Sequence, residues 1–193
     1  DAHIDTGAYL SRRTKGLLNN MGGVAGQYKT PAIATQMSFF FTNTMQTSPY
    51  RGFGRPEATY VIERLIDQAA RETGCDALAL RQQNLVSPDA MPYQTALTFL
   101  YDCGDFPRIV AAAAKNADYA GFADRRKDSE SRGLLRGIGI ANPIEVAGGP
   151  LKQVRKDIAR ITVRPGGQLV ITPGLMSVGQ GHETALARMA SKI

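Results

Sequence analysis

The feature that most constrains this chain is the run Ser48-Pro49-Tyr50-Arg51-Gly52-Phe53-Gly54-Arg55-Pro56-Glu57, because it dictates a turn and the start of the helix behind it. Gly52 and Gly54 can take positive φ and let another group approach the backbone closely. Pro56 suits a first helical position, where its missing N–H is no loss. Behind it Ala58, Val61, Ile62, Leu65, Ile66, Ala69 and Ala70 recur at helical spacing, which predicts a helix over 56–73 stopped by Gly74. Free N–H groups at that helix start, with Arg51 and Arg55 beside them, favour a phosphate or an electron-rich oxygen. A tight glycine turn with solvated arginines satisfies the same local chemistry. The run is no Walker A loop, since no Gly-Lys-Ser/Thr follows, and no Rossmann turn, since Glu57 stands where the third glycine should be.

A second glycine-flanked polar run, Val178-Gly179-Gln180-Gly181-His182-Glu183-Thr184, also opens a helix, which extends through Ala190. Together the two loops describe one extended anionic ligand gripped at two points by backbone N–H groups. Before the first loop the pattern predicts strands near 28–35 and 36–42, with Phe39-Phe40-Phe41 as core, and a turn at Asp5-Thr6-Gly7-Ala8. Helices follow from Asp76 to about Asn84 and from Asp105 to about Asp118, each with an aspartate as N-cap. Residues 124–132 read as a charged, solvated connector, and 134–146 as β structure. Alternation in 159–163, a turn at Pro165-Gly166-Gly167 and apolar Leu169 and Ile171 predict a hairpin with one half-buried face. The expected class is α+β: mostly antiparallel strands with three to four helices. They form one unit over 1–193 or two lobes, 1–123 and 133–193, joined by 124–132.

Composition narrows the partners. At 193 residues, 43% hydrophobic and 21% charged, the chain has the balance of a soluble globular domain. Its net charge of +6 is scattered over Arg12, Arg13, Lys15, Arg125, Arg126, Lys127, Lys152, Arg155 and Lys156, with no basic helix and no aromatic–basic interleaving, so nucleic acid is not indicated. No stretch is apolar enough to span a bilayer. Cys75 and Cys103 fit no metal spacing and read as semi-buried free thiols in a reducing cytoplasm. His3 and His182 are too few for a metal centre of their own, so no metal ligand is assigned.

The first loop resembles the active-site loop of the molybdenum hydroxylases: xanthine dehydrogenase, aldehyde oxidase and the large chain of aerobic carbon monoxide dehydrogenase. Five further runs fall in the family's order: Ile62-Glu63-Arg64-Leu65-Ile66-Asp67, Leu80-Arg81-Gln82-Gln83-Asn84-Leu85, Tyr101-Asp102-Cys103-Gly104-Asp105-Phe106, Gly133-Leu134-Leu135-Arg136-Gly137-Ile138-Gly139-Ile140-Ala141 and Gly179-Gln180-Gly181-His182-Glu183-Thr184.

The resemblance implies a molybdopterin cofactor with molybdenum, in a dinucleotide form, and hydroxylation of an aldehyde or N-heterocycle. Electrons would leave through iron–sulfur and flavin subunits or domains. Arg51 and Phe53 are then the catalytic candidates, Arg51 beside the metal and Phe53 against the substrate. Arg51, Gly52, Gly54, Gly179, Gln180 and Gly181 are the cofactor-binding candidates. Copper-type carbon monoxide dehydrogenases carry a cysteine directly after the arginine, where this chain has Gly52, so carbon monoxide oxidation is the lesser alternative. The other alternative is a non-catalytic anion- or nucleotide-binding module. Asn19 falls where xanthine-oxidising members carry a substrate arginine, and Asn142-Pro143 where they offer a second aromatic. The family's first cofactor loop and its general-base glutamate lie outside these residues. The 193 residues are therefore expected to be an internal segment that binds no cofactor tightly and is inactive alone.

Overall fold

A computed structural model describes residues 1–10, 21–48, 50–145 and 157–192. The chain divides into two compact units, 1–145 and 146–193. Helix α1 (Arg55–Thr73) is the element around which the first unit is built. A short 3₁₀ turn, Met21–Ala25, packs on it, with Gly23 opposite Ala58 and Gly26 against Ile62. α2 (Ala77–Asn84) lies beside α1, and α3 (Phe106–Asn116) and α4 (Phe122–Ser131) follow. Among the described residues Ala25, Tyr28, Ala58, Ala70, Leu85, Val86, Phe99, Tyr101, Phe106 and Val110 are the buried apolar ones. Tyr101 meets Phe106 edge to face, with ring centres 5.9 Å apart, and its hydroxyl donates to the Gly26 carbonyl.

Strand β1 (Ala2–Asp5) pairs parallel to β2 (Met37–Phe40), Ala2 opposite Met37 and Asp5 opposite Phe40. The turn after β1 closes as expected: Gly7, at φ 74°, donates from its amide to Asp5 Oδ1 at 2.8 Å. β3 (Tyr93–Gln94) and β4 (Leu100–Tyr101) form an antiparallel pair. In the second unit β5 (Ala159–Val163) pairs antiparallel with β6 (Leu169–Pro173), and α5 (His182–Ala190) follows. Two of the three strand pairs among the described residues are antiparallel, and the α+β class holds.

Several local expectations need correction. Residues 28–35 form no strand; Tyr28 makes only an isolated bridge to Leu85. Phe40 and Phe41 are 49% and 66% exposed, because the two-stranded sheet has no second layer over them among the described residues; Phe40 stacks on His3, at 5.6 Å. The described part of 134–146, through Glu145, forms no strand, and side chains take up its Ile140 and Pro143 carbonyls instead. Residues 124–132 are not a loop, since all but the last lie in α4, making five helices among the described residues. α4 has no apolar period for a sequence reading to find. Its ion pairs run Arg126 to Glu130, Arg132 to Asp128 and Arg125 to Asp118, and the hydroxyl of buried Ser129 returns to the Arg125 carbonyl. β5 is exposed at every position rather than half-buried. Cys75 and Cys103 are free and both exposed, not semi-buried. Asn19, Arg12, Arg13, Lys15, Lys152, Arg155 and Lys156 lie outside the described residues. No described helix is long and apolar enough to cross a membrane, and no described cluster of His, Cys, Asp and Glu could hold a metal.

A buried polar network fixes α1 in place. The Arg81 side chain is fully buried, and Glu63 is 4% exposed. Arg81 Nε donates to Glu63 Oε2 at 2.8 Å, while Nη2 reaches Asp67 Oδ1 at 2.8 Å and the Ile140 carbonyl at 3.2 Å. The Tyr28 hydroxyl donates to Glu63 Oε1 at 2.7 Å and accepts from Asn142 Nδ2 at 3.1 Å. Burial and then the Glu63 carboxylate push the Tyr28 hydroxyl above its ordinary pKa, so it stays a donor. Each charge has a partner, as a buried ion pair requires. The network ties α1, α2, Tyr28 and the 140–142 segment to one another.

Candidate functional site

The first loop is held by the backbone, as its glycines demand. Gly52, Phe53 and Gly54 stand in succession at φ 99°, 48° and 91°. The Phe53 amide donates to the Tyr50 carbonyl at 2.9 Å, and the Arg55 amide to the Gly52 carbonyl at 3.1 Å. α1 then begins at Gly54, left-handed and without a side-chain cap, with Pro56 in the first turn and Glu57 complementing the dipole. A Cβ on Gly52 would lie 2.7 Å from Pro56 Cδ. Proline therefore closes the side-chain direction at 52, and backbone conformation and packing both require glycine there.

Beside this loop runs a shallow groove of about 490 Å³, lined among others by Gly52, Arg55, Thr59, Tyr60, Pro143 and Glu145. Arg55 Nε lies 2.7 Å from Glu145 Oε1, an ion pair whose N–H direction falls outside hydrogen-bond geometry. Arg55 Nη1 also donates to the Gly52 carbonyl at 3.2 Å. Of the predicted residues, Arg51 is exposed, Phe53 half-buried and Gly54 buried, all in this one loop. Asn142 is 7% exposed, and its amide faces Tyr28 in the core rather than offering a ring to the groove.

The second loop is more open. Gly179 and Gly181 take φ 101° and 69°, and a Cβ on either would meet nothing within 4 Å among the described residues. Gln180 Oε1 accepts from the Val178 amide at 2.6 Å, so this side chain folds back on its own loop. α5 starts at left-handed Gly181, again with no side-chain cap. Beside it a groove of about 480 Å³ runs between β6 and α5, lined by Leu169, Ile171, Pro173, Leu175, His182 and Leu186 among others. His182 Nδ1 is buried there without a hydrogen-bond partner among the described residues.

These two starts contrast with those of α2 and α3. Asp76 Oδ1 accepts from the amides of Leu78 and Ala79, both at 2.9 Å, and Asp105 Oδ1 from that of Arg108 at 3.1 Å. A cap carboxylate already fills the anion position at α2 and α3, whereas α1, α4 and α5 carry none, and of these three only α1 and α5 open at a left-handed glycine. Helix starts that keep glycine in place of an acidic cap are chemically suited to an outside phosphate or pterin oxygen. Sequence reasoning found both loops but missed Glu145, Tyr60 and the network of Tyr28, Glu63, Arg81 and Asn142. One signal was available: Glu63 lies seven residues before Ala70, on the face that α1 buries.

Both loops lie in sequence that is similar to known molybdopterin-binding proteins. Residues 1–85 match one molybdopterin cofactor-binding domain and residues 112–193 a second, so each glycine loop falls inside one match. The chain is 28% identical over 193 residues to the 6-hydroxypseudooxynicotine dehydrogenase complex subunit gamma of Paenarthrobacter nicotinovorans, covering 96% of this chain and 24% of that protein. It is 31% identical over 178 residues to the carbon monoxide dehydrogenase large chain of Hydrogenophaga pseudoflava, covering 86% of this chain and 22% of the relative. Among solved structures, quinoline 2-oxidoreductase from Pseudomonas putida superposes with a TM-score of 0.83 at 28% identity, over 98% of this chain and 25% of that one. The chain thus spans about a quarter of the length of the relatives it matches. With two domain matches covering most of its length and a closely superposing oxidoreductase, the chain belongs to the molybdenum hydroxylase family, as part of its molybdopterin-binding region.

Proposed function

We propose that the protein containing this chain is a molybdenum-dependent hydroxylase acting on an aldehyde or N-heterocycle. Its cofactor is a dinucleotide form of molybdopterin, and its electrons pass to iron–sulfur and flavin partners. The observation that carries this reading over carbon monoxide oxidation is the closed side-chain direction at Gly52. At φ 99°, with Pro56 Cδ 2.7 Å from any Cβ, this loop has no room for the copper-type cysteine. A free-standing anion-binding module is supported only by the uncapped helix starts, which cofactor binding at the same loops would account for equally well.

The molybdenum centre, when bound, supplies oxygen insertion at an electron-poor carbon and a two-electron acceptor. The residues present fit such a group: Gly179, Gln180 and Gly181 with the amides opening α5 would hold the cofactor's anionic part. Arg51, Gly52 and Gly54 would shape the metal's surroundings with backbone rather than side chain. Phe53 would press a flat substrate into register, and its left-handed φ of 48° is the kind of local strain that functional loops retain. Two of the relatives named above are a complex subunit and a large chain, which supports a multi-subunit assembly here.

The test is Phe53→Ala in the full-length, cofactor-loaded enzyme, assayed on a panel of aldehydes and N-heterocycles. KM should rise about tenfold or more while molybdenum content holds, as expected for loss of an aromatic contact to substrate. Unchanged kinetics, or activity confined to carbon monoxide, would sink the proposal.

A further inference from the structure

We infer that Arg55 and Glu145 form a clamp of positioning residues that holds the loop at 50–54 in its working shape. The inference rests on the function proposed above, but its physical core is a statement about the loop itself. Arg55 makes two contacts with one acceptor: its amide and its Nη1 both donate to the Gly52 carbonyl, at 3.1 and 3.2 Å. The guanidinium is therefore tied to the residue whose conformation is least replaceable in the loop.

Glu145 balances that guanidinium from the other side, with Oε1 2.7 Å from Nε. The Arg55 side chain is only 17% exposed, so its charge depends on a nearby carboxylate more than a surface arginine would. Glu145 is in turn delivered from an anchored segment. Arg81 binds the Ile140 carbonyl, Asn142 binds the Tyr28 hydroxyl, and Gln27 Nε2 binds the Pro143 carbonyl at 2.9 Å. The order is therefore buried network, anchored segment, Glu145, Arg55, Gly52 carbonyl. Arg51 and Phe53, on either side of Gly52, inherit their direction from that carbonyl. Neither Arg55 nor Glu145 needs to touch a reacting atom for this role.

The experiment uses the full-length, cofactor-loaded protein with Arg55→Gln, Glu145→Ala and the double variant. Hydrogen exchange at the Phe53 and Arg55 amides reads the loop directly. Exchange should accelerate roughly tenfold in Arg55→Gln, the effect of losing a charged donor. In Glu145→Ala it should accelerate about threefold, the size of a partly exposed ion pair. The double variant should match Arg55→Gln, because Glu145 acts only through Arg55. KM should rise in the same order while molybdenum content and Tm stay near those of the parent. Unchanged exchange at Phe53 and Arg55, or additive effects in the double variant, would overturn the clamp. Absence of molybdenum and hydroxylation from the parent would instead overturn the function proposed above. The exchange result judges the clamp in either case.

Discussion

The loop at 50–55 stands on a nineteen-residue helix held by a buried charge network, while the loop at 179–181 opens a nine-residue helix in a unit with no buried residue among those described. The first loop closes on itself through the Tyr50 and Gly52 carbonyls and is packed by Pro56. The second has open space around Gly179 and Gly181, and its hairpin leaves Ile161 56% and Val163 70% exposed. A two-stranded hairpin with one short helix is marginal on its own. The lesson is that similar glycine spacing produces two kinds of site. One is packed and hydrogen-bonded within its own unit, and the other stands open within its unit.

The harshest way to break the first half of this comparison is Arg81→Met. It leaves Glu63 buried without its cation and releases Asp67 and the Ile140 carbonyl together. The expected loss is about 3–5 kcal/mol, the range for removing one partner of a buried pair. Urea denaturation followed by tyrosine fluorescence would read it, since all seven tyrosines of the chain precede residue 146. A loss under 1 kcal/mol would mean that the network is not the foundation of the loop.

A matched pair of glycine variants tests the difference more directly. Gly52→Ala meets both a positive φ and Pro56 Cδ at 2.7 Å, so strain and overpacking add to about 2–4 kcal/mol. Gly179→Ala meets the positive φ alone and should destabilise by only about 1 kcal/mol, while still lowering cofactor content in the full-length protein. Equal stability effects in the two variants would erase the distinction between a packed and an open loop.

These contrasts explain what the sequence could and could not disclose. The α1 and α5 starts were legible because Gly, Pro and helical spacing are local signals, and the aspartate caps of α2 and α3 were legible for the same reason. α4 was not, since Arg126–Glu130 and Asp128–Arg132 stabilise a helix without an apolar stripe. The Phe39-Phe40-Phe41 run misled because burial depends on a second layer that β1 and β2 do not have among the described residues. Glu145 was invisible as a site residue because its partner lies 90 positions earlier in the chain, Arg55, and only tertiary structure brings them together. Leu65 and Val61 match the helical period, yet they remain 56% and 45% exposed. Periodicity therefore overstated how much of α1 this unit covers.

The smallest effect concerns the helix starts that do carry a cap. The Ala79 amide first, then the Tyr119 hydroxyl and the Leu78 amide, hold the Asp76 carboxyl below its usual pKa, partly offset by desolvation. A carboxyl depressed in the folded state stabilises fully above its unfolded value, near about 4, and loses that contribution as pH falls through the folded value. Asp76→Ala should therefore cost about 1 kcal/mol at neutral pH, the usual worth of an N-cap. The gap between variant and parent should narrow as pH drops below about 4, because the parent's cap becomes protonated. Asp76→Asn should keep most of the neutral-pH stability without that pH dependence, since asparagine caps nearly as well. No corresponding acid-dependent cap contribution is expected at α1 or α5, whose glycine starts have no carboxylate to titrate. Urea denaturation midpoints of parent and both variants between pH 3 and 7 would decide it; parallel pH profiles would show that the carboxylate is not what caps α2.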